Sequence, residues 1–226
     1  MKFFIVIPTL NEEKYLENCL KSIFKQIYQN FVIIVSDYKS SDKTLDIAKQ
    51  YSCEIVNCEE KGVGYACWLA GEYIKNNLKF SEKDVILRTS ADCILREDAL
   101  LNVLDTFNFN KNAKLVYCIA NLYDADIYHK ILFSILEGLR SKLNISGEFQ
   151  AININAYYDV GGYDKNLAIG EDWDMAKKIA FKYGFNSIVR INKILVLESA
   201  RRFKNKLALW GGCYKDYNTF IKTSVR

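Results

Sequence analysis

The sequence predicts an α/β protein built on a mostly parallel sheet with helices on both faces, and three observations carry this prediction. Strand and helix signals alternate along the first half of the 226 residues, which is typical of parallel β-α-β units. Phe31–Val35 is an unbroken apolar run of the kind that is buried on both sides of such a sheet. The only proline, Pro8, ends the first strand, where its missing N–H and fixed φ favour a sharp exit.

The individual elements follow from apolar periodicity and capping residues. Strands are predicted at Phe3–Ile7, Phe31–Val35, Cys53–Asn57, Asp84–Thr89, Lys114–Asn121 and Phe149–Asn155, and a final hairpin at Ser187–Ile191 and Ile194–Glu198 around Asn192-Lys193. Helices are predicted at Glu13–Ile27, from a cap at Ser40 or Ser41 to Tyr51, and at Gly64–Asn76, Asp98–Phe107, Asp126–Leu143, a short segment before Gly161-Gly162, Glu171–Tyr183 and Lys204–Thr219. No linker or repeat interrupts the chain, so one continuous domain over residues 1–226 is expected.

Two local patterns need a separate interpretation. Thr9 and Glu12 have capping-box spacing, which predicts that the first helix begins directly after the first strand. The helix from Asp126 has an apolar stripe that includes Ile131 and Ile135. We expect this stripe to pack in the core, and the alternative is a helix that lies at a membrane interface.

Composition limits the cellular setting. The seven cysteines are odd in number, form no C-x-x-C pair and lie partly in apolar runs, which favours buried thiols in a reducing compartment. No apolar run reaches the roughly 18 residues of a membrane span, and the apolar stretch at the start is too short for a signal peptide. A cytoplasmic protein is therefore expected.

Charge is distributed unevenly along the chain. Residues 187–226 contain nine Lys or Arg and two acids, a net charge of +7, whereas the first 186 residues have a net charge of −3. A basic segment with Trp210, Tyr214, Tyr217 and Phe220 would suit an anionic membrane surface contacted peripherally. Packing of these aromatics on the core, with solvated charges, is the equal alternative. No nucleic-acid partner is predicted.

Candidate site residues follow several predicted strands, because ligands of open α/β sheets bind at the carboxyl ends of the strands. Asp37 could accept a hydrogen bond from a base or ribose, Asp92 could hold a divalent cation, and Glu171 or Asp172 could act as a general base. Glu12, Glu171 and Asp172 also lie in predicted first helical turns, where the helix dipole favours acids regardless of function. Their joint order and spacing favour a site.

The motifs resemble those of family 2 glycosyltransferases with the GT-A fold, a Rossmann-like single domain, from Phe3 to about Phe203. The resemblance lies in Ile-Pro-Thr-Leu-Asn-Glu-Glu13, in Val35-Ser-Asp-x-x-Ser-Ser-Asp-x-Thr44 and in Val160-Gly-Gly-Tyr-Asp164 followed by Gly170-Glu-Asp-x-Asp-Met-Ala176. It implies an inverting enzyme that uses Mg²⁺ or Mn²⁺ and a nucleotide-diphosphate sugar, UDP ahead of GDP. Residues 1–100 would form the donor half and 101–226 the acceptor half.

The resemblance also implies roles for individual residues. Asp172 would be the catalytic base, Glu171 would support the acceptor pocket, and Asp92 would bind the metal. The residues expected at the donor are Pro8, Thr9, Glu12, Asp37, Ser90, Asp92, Arg201 and Arg202. Ordinary surface charge is the alternative for the two arginines.

Three departures from the family pattern bear on this hypothesis. Ser90-Ala-Asp92 lacks the first acid of the family's DXD motif, Ala66-Cys-Trp68 stands where Ala-Arg-Asn is common, and no Q-x-x-R-W sequence of processive synthases is present. The main alternative is therefore a module that binds a sugar nucleotide or glycan without turnover. A sugar-1-phosphate nucleotidyltransferase is disfavoured because Pro8-Thr-Leu-Asn-Glu12 offers neither a Gly-rich loop nor a lysine. The expected acceptor is a glycan, a lipid-linked group or a protein.

Overall fold

The computed structural model describes residues 1–142, 147, 149–168 and 170–201. Its strands are β1 Phe3–Thr9, β2 Phe31–Asp37, β3 Glu54–Asn57, β4 Val85–Arg88, β5 Cys93–Leu95, β6 Leu115–Leu122, β7 Gln150–Asn153 and β8 Ile188–Glu198. Its helices are α1 Leu16–Phe24, α2 Thr44–Gln50, α3 Val63–Asn77, α4 Ala99–Phe109, α5 Ile127–Lys142, α6 Ile154–Asp159 and α7 Glu171–Tyr183, followed by a 3₁₀ turn at Phe185–Ser187.

The eight strands form one sheet in the order β3-β2-β1-β4-β7-β6-β8-β5. The neighbours β3, β2, β1 and β4 are parallel, β6 and β8 run parallel to each other, and β7 and β5 run antiparallel to the strands beside them. The predicted mostly parallel sheet is therefore confirmed. Its first four parallel strands end at the edge where the candidate residues lie.

Helices cover both faces of the sheet, as predicted. Side chains of β1 alternate between two cores, with Phe3, Ile5 and Ile7 in one and Phe4 and Val6 in the other. The first core also contains residues of α1, α2 and α4, and the second contains residues of α3, α6 and α7. Because all five apolar side chains of β1 are buried, its polar end is fixed by packing on both sides.

The predicted hairpin is wrong, because Ile188–Glu198 is one continuous strand. Along its pairing with β6, Ile191 lies opposite Cys118 and Ile194 lies opposite Ile119, so that Asn192 and Lys193 form an irregularity. A second shift leaves Leu195 unpaired with β6 between Ile194 and Val196, so that three extra residues of β8 are accommodated as bulges. The strand therefore keeps its direction and ends at the same edge of the sheet as β1 and β4, where Arg201 follows it.

Two capping predictions are also wrong. Thr9 donates its hydroxyl hydrogen to Asp37, and α1 begins only at Leu16 with no side-chain cap at Tyr15. Neither Ser40 nor Ser41 caps α2, which begins at Thr44. Local spacing was misleading in both cases, because Thr9 and Ser40 donate their hydroxyl hydrogens to Asp37 and do not cap a helix.

The remaining differences are smaller. The three-residue strand β5 was not predicted, and the predicted helix Lys204–Thr219 lies outside the described residues. Ile131 and Ile135 of α5 are more than half exposed, whereas Phe133 is buried. Core packing is therefore wrong for these two isoleucines.

Candidate active site

Asp37 organises the corner at the ends of β1 and β2. Its Oδ1 accepts hydrogen bonds from Thr9 Oγ1 at 2.7 Å and Ser40 Oγ at 2.6 Å, and its Oδ2 accepts one from Ser40 N at 2.9 Å. The residue is almost fully buried. Since a carboxylate offers about four acceptor positions, Oδ2 retains the capacity to accept a further hydrogen bond from a ligand.

The loop after β1 is fastened to the loop after β2 by hydrogen bonds between residues about thirty positions apart. Three consecutive backbone N–H groups donate to side chains of the second loop: Asn11 N to Ser40 Oγ at 2.8 Å, Glu12 N to Thr44 Oγ1 at 2.7 Å and Glu13 N to Asp42 Oδ2 at 3.1 Å. Burial raises the pKa of Asp42, but the hydrogen bonds from Thr44 and Glu13 outweigh it, and the net pKa is lowered. The side chains of the second motif therefore satisfy backbone donors of the first motif.

Arg201 forms hydrogen bonds with Glu12, in the loop after β1, and with Asp92, the candidate metal ligand. Its Nη1 and Nη2 donate to Glu12 Oε2 at 2.8 Å and Oε1 at 2.7 Å, and its Nε donates to Asp92 Oδ2 at 2.7 Å. Burial alone would lower the pKa of the guanidinium. The hydrogen bond with Glu12 and the charges of both carboxylates outweigh burial, so the net pKa lies above its usual range. Arg201 is thus not an ordinary surface charge.

The backbone turn that presents Arg201 is held by Asp124. Asp124 accepts hydrogen bonds from Ser199 Oγ at 2.9 Å and from Ala200 N, and Arg201 N donates to Ser199 Oγ at 3.2 Å. The guanidinium carbon lies 4.4 Å from the centre of the Tyr15 ring, which suits a cation–π contact. The position of Arg201 is therefore fixed by the hydrogen-bonded turn at Ser199 and Ala200 and by the ring of Tyr15.

A buried ion pair anchors α7 to β4. Arg88 Nη2 lies 2.6 Å from Glu171 Oε1, and both side chains are about 95% buried. A charge in such surroundings needs a partner. Glu171 is therefore engaged in holding the start of α7 against β4, and its expected support of an acceptor pocket stays a prediction.

Asp172 is the second residue of α7 and lies next to that pair in the chain. Its backbone carbonyl accepts a 2.7 Å hydrogen bond from Gln150 Nε2, and Gln150 lies opposite Arg88 in the register of β7 and β4. Tyr163 in turn donates to Gln150 Oε1 at 2.8 Å. The structure thus brings Asp172 close to the end of β4. Strand β4 ends at Arg88, four residues before Asp92 in the chain.

The other predicted donor residues lie at the same edge. Pro8 lies near the end of β1 opposite Ser36. Ser90 is buried, and its carbonyl oxygen accepts hydrogen bonds from Cys93 N and from the Cys19 thiol. Arg202 lies outside the described residues.

A divalent metal fits the residues of this site on one condition. Among the described residues, no group of three or more His, Cys, Asp or Glu side chains is arranged to hold a metal ion. Glu12 and Asp92 nevertheless converge on one positive group, and Mg²⁺ commonly binds one or two carboxylates together with substrate phosphates. The fit therefore requires Arg201 to leave Asp92.

Sequence reasoning missed Tyr15, Asp124, Arg88 and Gln150. Arg88 gave a signal, because a charged residue inside the apolar run from Val85 indicates a buried pair. Tyr15, Asp124 and Gln150 gave none, since their contacts depend on residues far away in the chain.

The thiols agree with the predicted pattern where the structure describes them. Cys19, Cys53, Cys58, Cys67, Cys93 and Cys118 are free, and all but Cys53 are buried. Burial raises the pKa of Cys53 and of Cys58 to about 12. Cys213 lies outside the described residues.

The fold and the edge described above define an α/β protein with polar side chains gathered at the carboxyl ends of parallel strands, where proteins of this class bind their ligands. The model of glycosyl transferase family 2 matches residues 4–163. The chain belongs to this family.

Similar proteins support that assignment. A Methanococcus voltae enzyme named dolichyl N-acetyl-alpha-D-glucosaminyl phosphate 3-beta-D-2,3-diacetamido-2,3-dideoxy-beta-D-glucuronosyltransferase is 35% identical over 46% of this chain and 33% of its own length. The chain thus spans about a third of that relative, and 21% and 28% of two others, a Streptococcus pneumoniae glycosyltransferase and an Escherichia coli chondroitin synthase.

Solved structures confirm the GT-A fold. A mannosyltransferase from Pyrobaculum calidifontis, in complex with GDP-Man and Mn²⁺, superposes with a TM-score of 0.69 at 21% identity, over 89% of this chain and 57% of that chain. A glucosyl-3-phosphoglycerate synthase from Mycobacterium tuberculosis, in complex with Mn²⁺, UDP-glucose and glycerol 3-phosphate, gives 0.62 at 17% identity, over 90% and 74%. Within the residues that the structure describes, no helix has the length and apolarity to cross a membrane.

Proposed function

We propose that this chain is an inverting glycosyltransferase that moves a sugar from a nucleotide-diphosphate donor, UDP ahead of GDP, to an acceptor hydroxyl or phosphate. The observation that carries the proposal is the convergence of Glu12 and Asp92 on one cationic position beside the Asp37 corner. An anionic diphosphate needs compensating positive charge, and a base or ribose needs a buried acceptor. Both needs are met at one edge of the sheet.

Each residue has a distinct role in the proposed reaction. Asp37 accepts a hydrogen bond from the nucleoside, and Arg201 neutralises the diphosphate through its planar guanidinium. Asp92 would hold Mg²⁺ or Mn²⁺, which would supply positive charge to the leaving group.

The proton of the acceptor goes to Asp172. The acceptor oxygen attacks the anomeric carbon, the bond from that carbon to the diphosphate oxygen breaks, and the acceptor proton moves to the Asp172 carboxylate. Glu171 does not exchange protons in this scheme, because its carboxylate is paired with Arg88. The buried pair instead fixes the helix start that carries Asp172.

The donor test is a screen of UDP-glucose, UDP-GlcNAc and GDP-mannose by thermal shift, with and without Mn²⁺, followed by measurement of donor hydrolysis. Stabilisation by a UDP-sugar together with released UDP supports the proposal. Stabilisation without hydrolysis or transfer would favour the alternative of a non-catalytic binding module, which the serine at position 90 makes worth testing.

The acceptor side favours a lipid-linked group over a free glycan or a protein. Side chains of α5 that are more than half exposed include Ile127, Tyr128, Ile131 and Ile135, and apolar helix faces suit a membrane interface. The basic sequence of residues 187–226 suits an anionic lipid phosphate.

The acceptor proposal is tested by cosedimentation with liposomes of anionic lipid at low and high salt. The expected result is binding at low salt that salt weakens and that Ile131→Ser with Ile135→Ser reduces. Absence of binding at low salt would leave a non-membrane acceptor as the better hypothesis.

A further inference from the structure

We propose that Gln150 is a positioning residue for the proposed base, because its side-chain amide holds the backbone of Asp172 and ties it to Tyr163. The inference rests on the proposed function and adds to it a residue that belongs to none of the sequence motifs. Gln150 acts in it through Asp172 and does not touch the substrate.

The side chain of Gln150 bridges two segments of the chain. Its Nε2 donates a 2.7 Å hydrogen bond to the backbone carbonyl of Asp172, and its Oε1 accepts a 2.8 Å hydrogen bond from the Tyr163 hydroxyl. Gln150 is fully buried, and Tyr163 is only 2% exposed. Because a buried polar group that loses its partner keeps its desolvation penalty, both hydrogen bonds resist opening.

The orientation of the amide follows from these two partners. A backbone carbonyl only accepts hydrogen bonds, so the NH₂ group of Gln150 has to face Asp172 and the amide oxygen has to face Tyr163. Burial raises the pKa of the Tyr163 phenol well above its usual range, so this hydroxyl stays protonated and donates. The bridge therefore has one arrangement, which holds the Asp172 carbonyl in a fixed place.

The peptide unit that Gln150 holds also contacts the Asp172 carboxylate. This unit consists of the Asp172 carbonyl and the Trp173 N–H, and the N–H donates a 2.8 Å hydrogen bond to Asp172 Oδ1. Because a peptide unit is planar, fixing its carbonyl also fixes the direction of its N–H. Gln150 thus sets the direction of the donor that orients the carboxylate of the proposed base.

The loop that carries Tyr163 is itself held in place. Gly162 has a φ of +71°, in the left-handed region, and a Cβ added there would lie 3.0 Å from the Tyr157 hydroxyl oxygen. Lys178 of α7 donates to the Gly162 carbonyl at 3.2 Å. Tyr163 therefore presents its hydroxyl to Gln150 from a backbone with little freedom.

The test is the kinetics of Gln150→Met, measured as hydrolysis of whichever of UDP-glucose, UDP-GlcNAc and GDP-mannose the protein turns over. Methionine has a similar length but cannot donate to the Asp172 carbonyl. A small misplacement of a reacting group can cost about 10²-fold in rate, and we expect kcat to fall by that order. The donor KM should change little, because the Asp37 corner does not involve Gln150.

Gln26→Met is the matched control. Gln26 is 2% exposed, and it also bridges two segments through a buried amide: Nε2 donates to the Arg96 carbonyl at 2.6 Å and Oε1 accepts from Leu100 N at 3.0 Å. Neither partner is a proposed site residue. This variant should lose stability as Gln150→Met does and keep the wild-type kcat.

Tyr163→Phe tests whether the bridge acts as a unit. It removes the hydrogen bond to Gln150 Oε1 and should lower kcat less than Gln150→Met does. The double variant should lose no more than Gln150→Met alone, because both changes act through one amide. Additive losses, or equal kcat values for Gln150→Met and Gln26→Met, would overturn the inference.

Hydrogen exchange separates this inference from the proposed function, because it needs no donor. Gln150→Met should speed exchange of the amide hydrogens of residues 173–177, and Gln26→Met should not. Faster exchange in a protein that hydrolyses no nucleotide sugar would support the anchoring by Gln150 and remove only the proposed function. Unchanged exchange, or donor hydrolysis that Gln150→Met leaves at the wild-type rate, would overturn the inference and leave the proposed function standing.

Discussion

Arg88 Nη2 donates a 2.6 Å hydrogen bond to Glu171 Oε1 across 83 residues of chain, in surroundings from which water is nearly excluded. The pair connects the last residue of β4 to the first residue of α7. It therefore sets where Asp172 stands relative to the end of the parallel sheet.

Removing one partner of this pair should be costly. Arg88→Met leaves Glu171 buried without its ion-pair partner, and we expect a loss of about 3 kcal/mol in the free energy of unfolding. The double variant Arg88→Met with Glu171→Leu should recover most of that loss, because an apolar pair of similar volume replaces the ion pair. Urea denaturation measures both, with exposed Arg96→Met as control; additive losses in the double variant would contradict the prediction.

Asp172→Asn should abolish most of the catalysis and spare the fold. The amide keeps the shape of the side chain but cannot take the acceptor proton, so turnover should fall by about 10²–10⁴-fold. Donor affinity should change little. Steady-state transfer kinetics provide the measurement, and unchanged turnover would falsify the assignment of Asp172 as the base.

Asp92→Ala should abolish Mn²⁺-dependent binding of the nucleotide sugar while the protein remains folded. The substitution removes a carboxylate from the cationic position and leaves Arg201 paired with Glu12 alone. Titration calorimetry with the donor and Mn²⁺ measures the effect. Exposed Asp46→Ala is the control, and equal donor affinity for Asp92→Ala and the wild type would remove Asp92 from metal binding.

Low pH should weaken the hydrogen bonds that Asp42 accepts between the loops after β1 and β2. The folded-state pKa of Asp42 lies below its ordinary value of 3.8, so the carboxylate contributes stability above that value, and this stability is lost as the pH falls through the folded-state pKa. Asp42→Ala should lower the melting temperature at pH 7 and should decline less between pH 4 and pH 2 than the wild type. Parallel declines would show that Asp42 does not contribute to acid sensitivity.

The buried thiols should be inert in the native protein. With pKa values of about 12 for Cys53 and Cys58, caused first by burial, almost no thiolate is present at pH 8. In a Cys213→Ser variant, which leaves the six described cysteines, a colorimetric disulfide reagent should react slowly before denaturation and fully afterwards. Rapid reaction of native protein would contradict the burial of these thiols.

The sequence was sufficient for the sheet class and for most elements, because β1 and β2 are short apolar runs with a clear period. It failed where a polar residue had both a local and a distant partner available. Thr9 has the spacing of a helix cap, but Asp37 at the end of the neighbouring strand accepts its hydrogen bond. Asn192-Lys193 has the composition of a turn, yet pairing of the flanking residues with β6 keeps the strand straight.

The positions of the candidate site residues were more predictable than their contacts. Asp37, Asp92 and Asp172 were identified from motifs, and the structure places them at the expected edge. The partnership of Arg201 with Glu12 was not predictable, because it joins residues 189 positions apart and no spacing rule reaches that far. Gln150 and Asp124 were missed for the same reason.

The bulges in β8 have a consequence for attempts to divide this chain. Because the strand absorbs three extra residues without turning back, its end brings Arg201 to the edge of the sheet where Glu12 lies. A fragment limited to residues 1–100 would contain the Asp37 corner, Glu12 and Asp92 but not Arg201. Without the guanidinium, the carboxylates of Glu12 and Asp92 would repel each other. The proposed donor site thus depends on both halves of the chain, and exchanging residues 1–100 between relatives should fail unless β8 and Arg201 are exchanged with them.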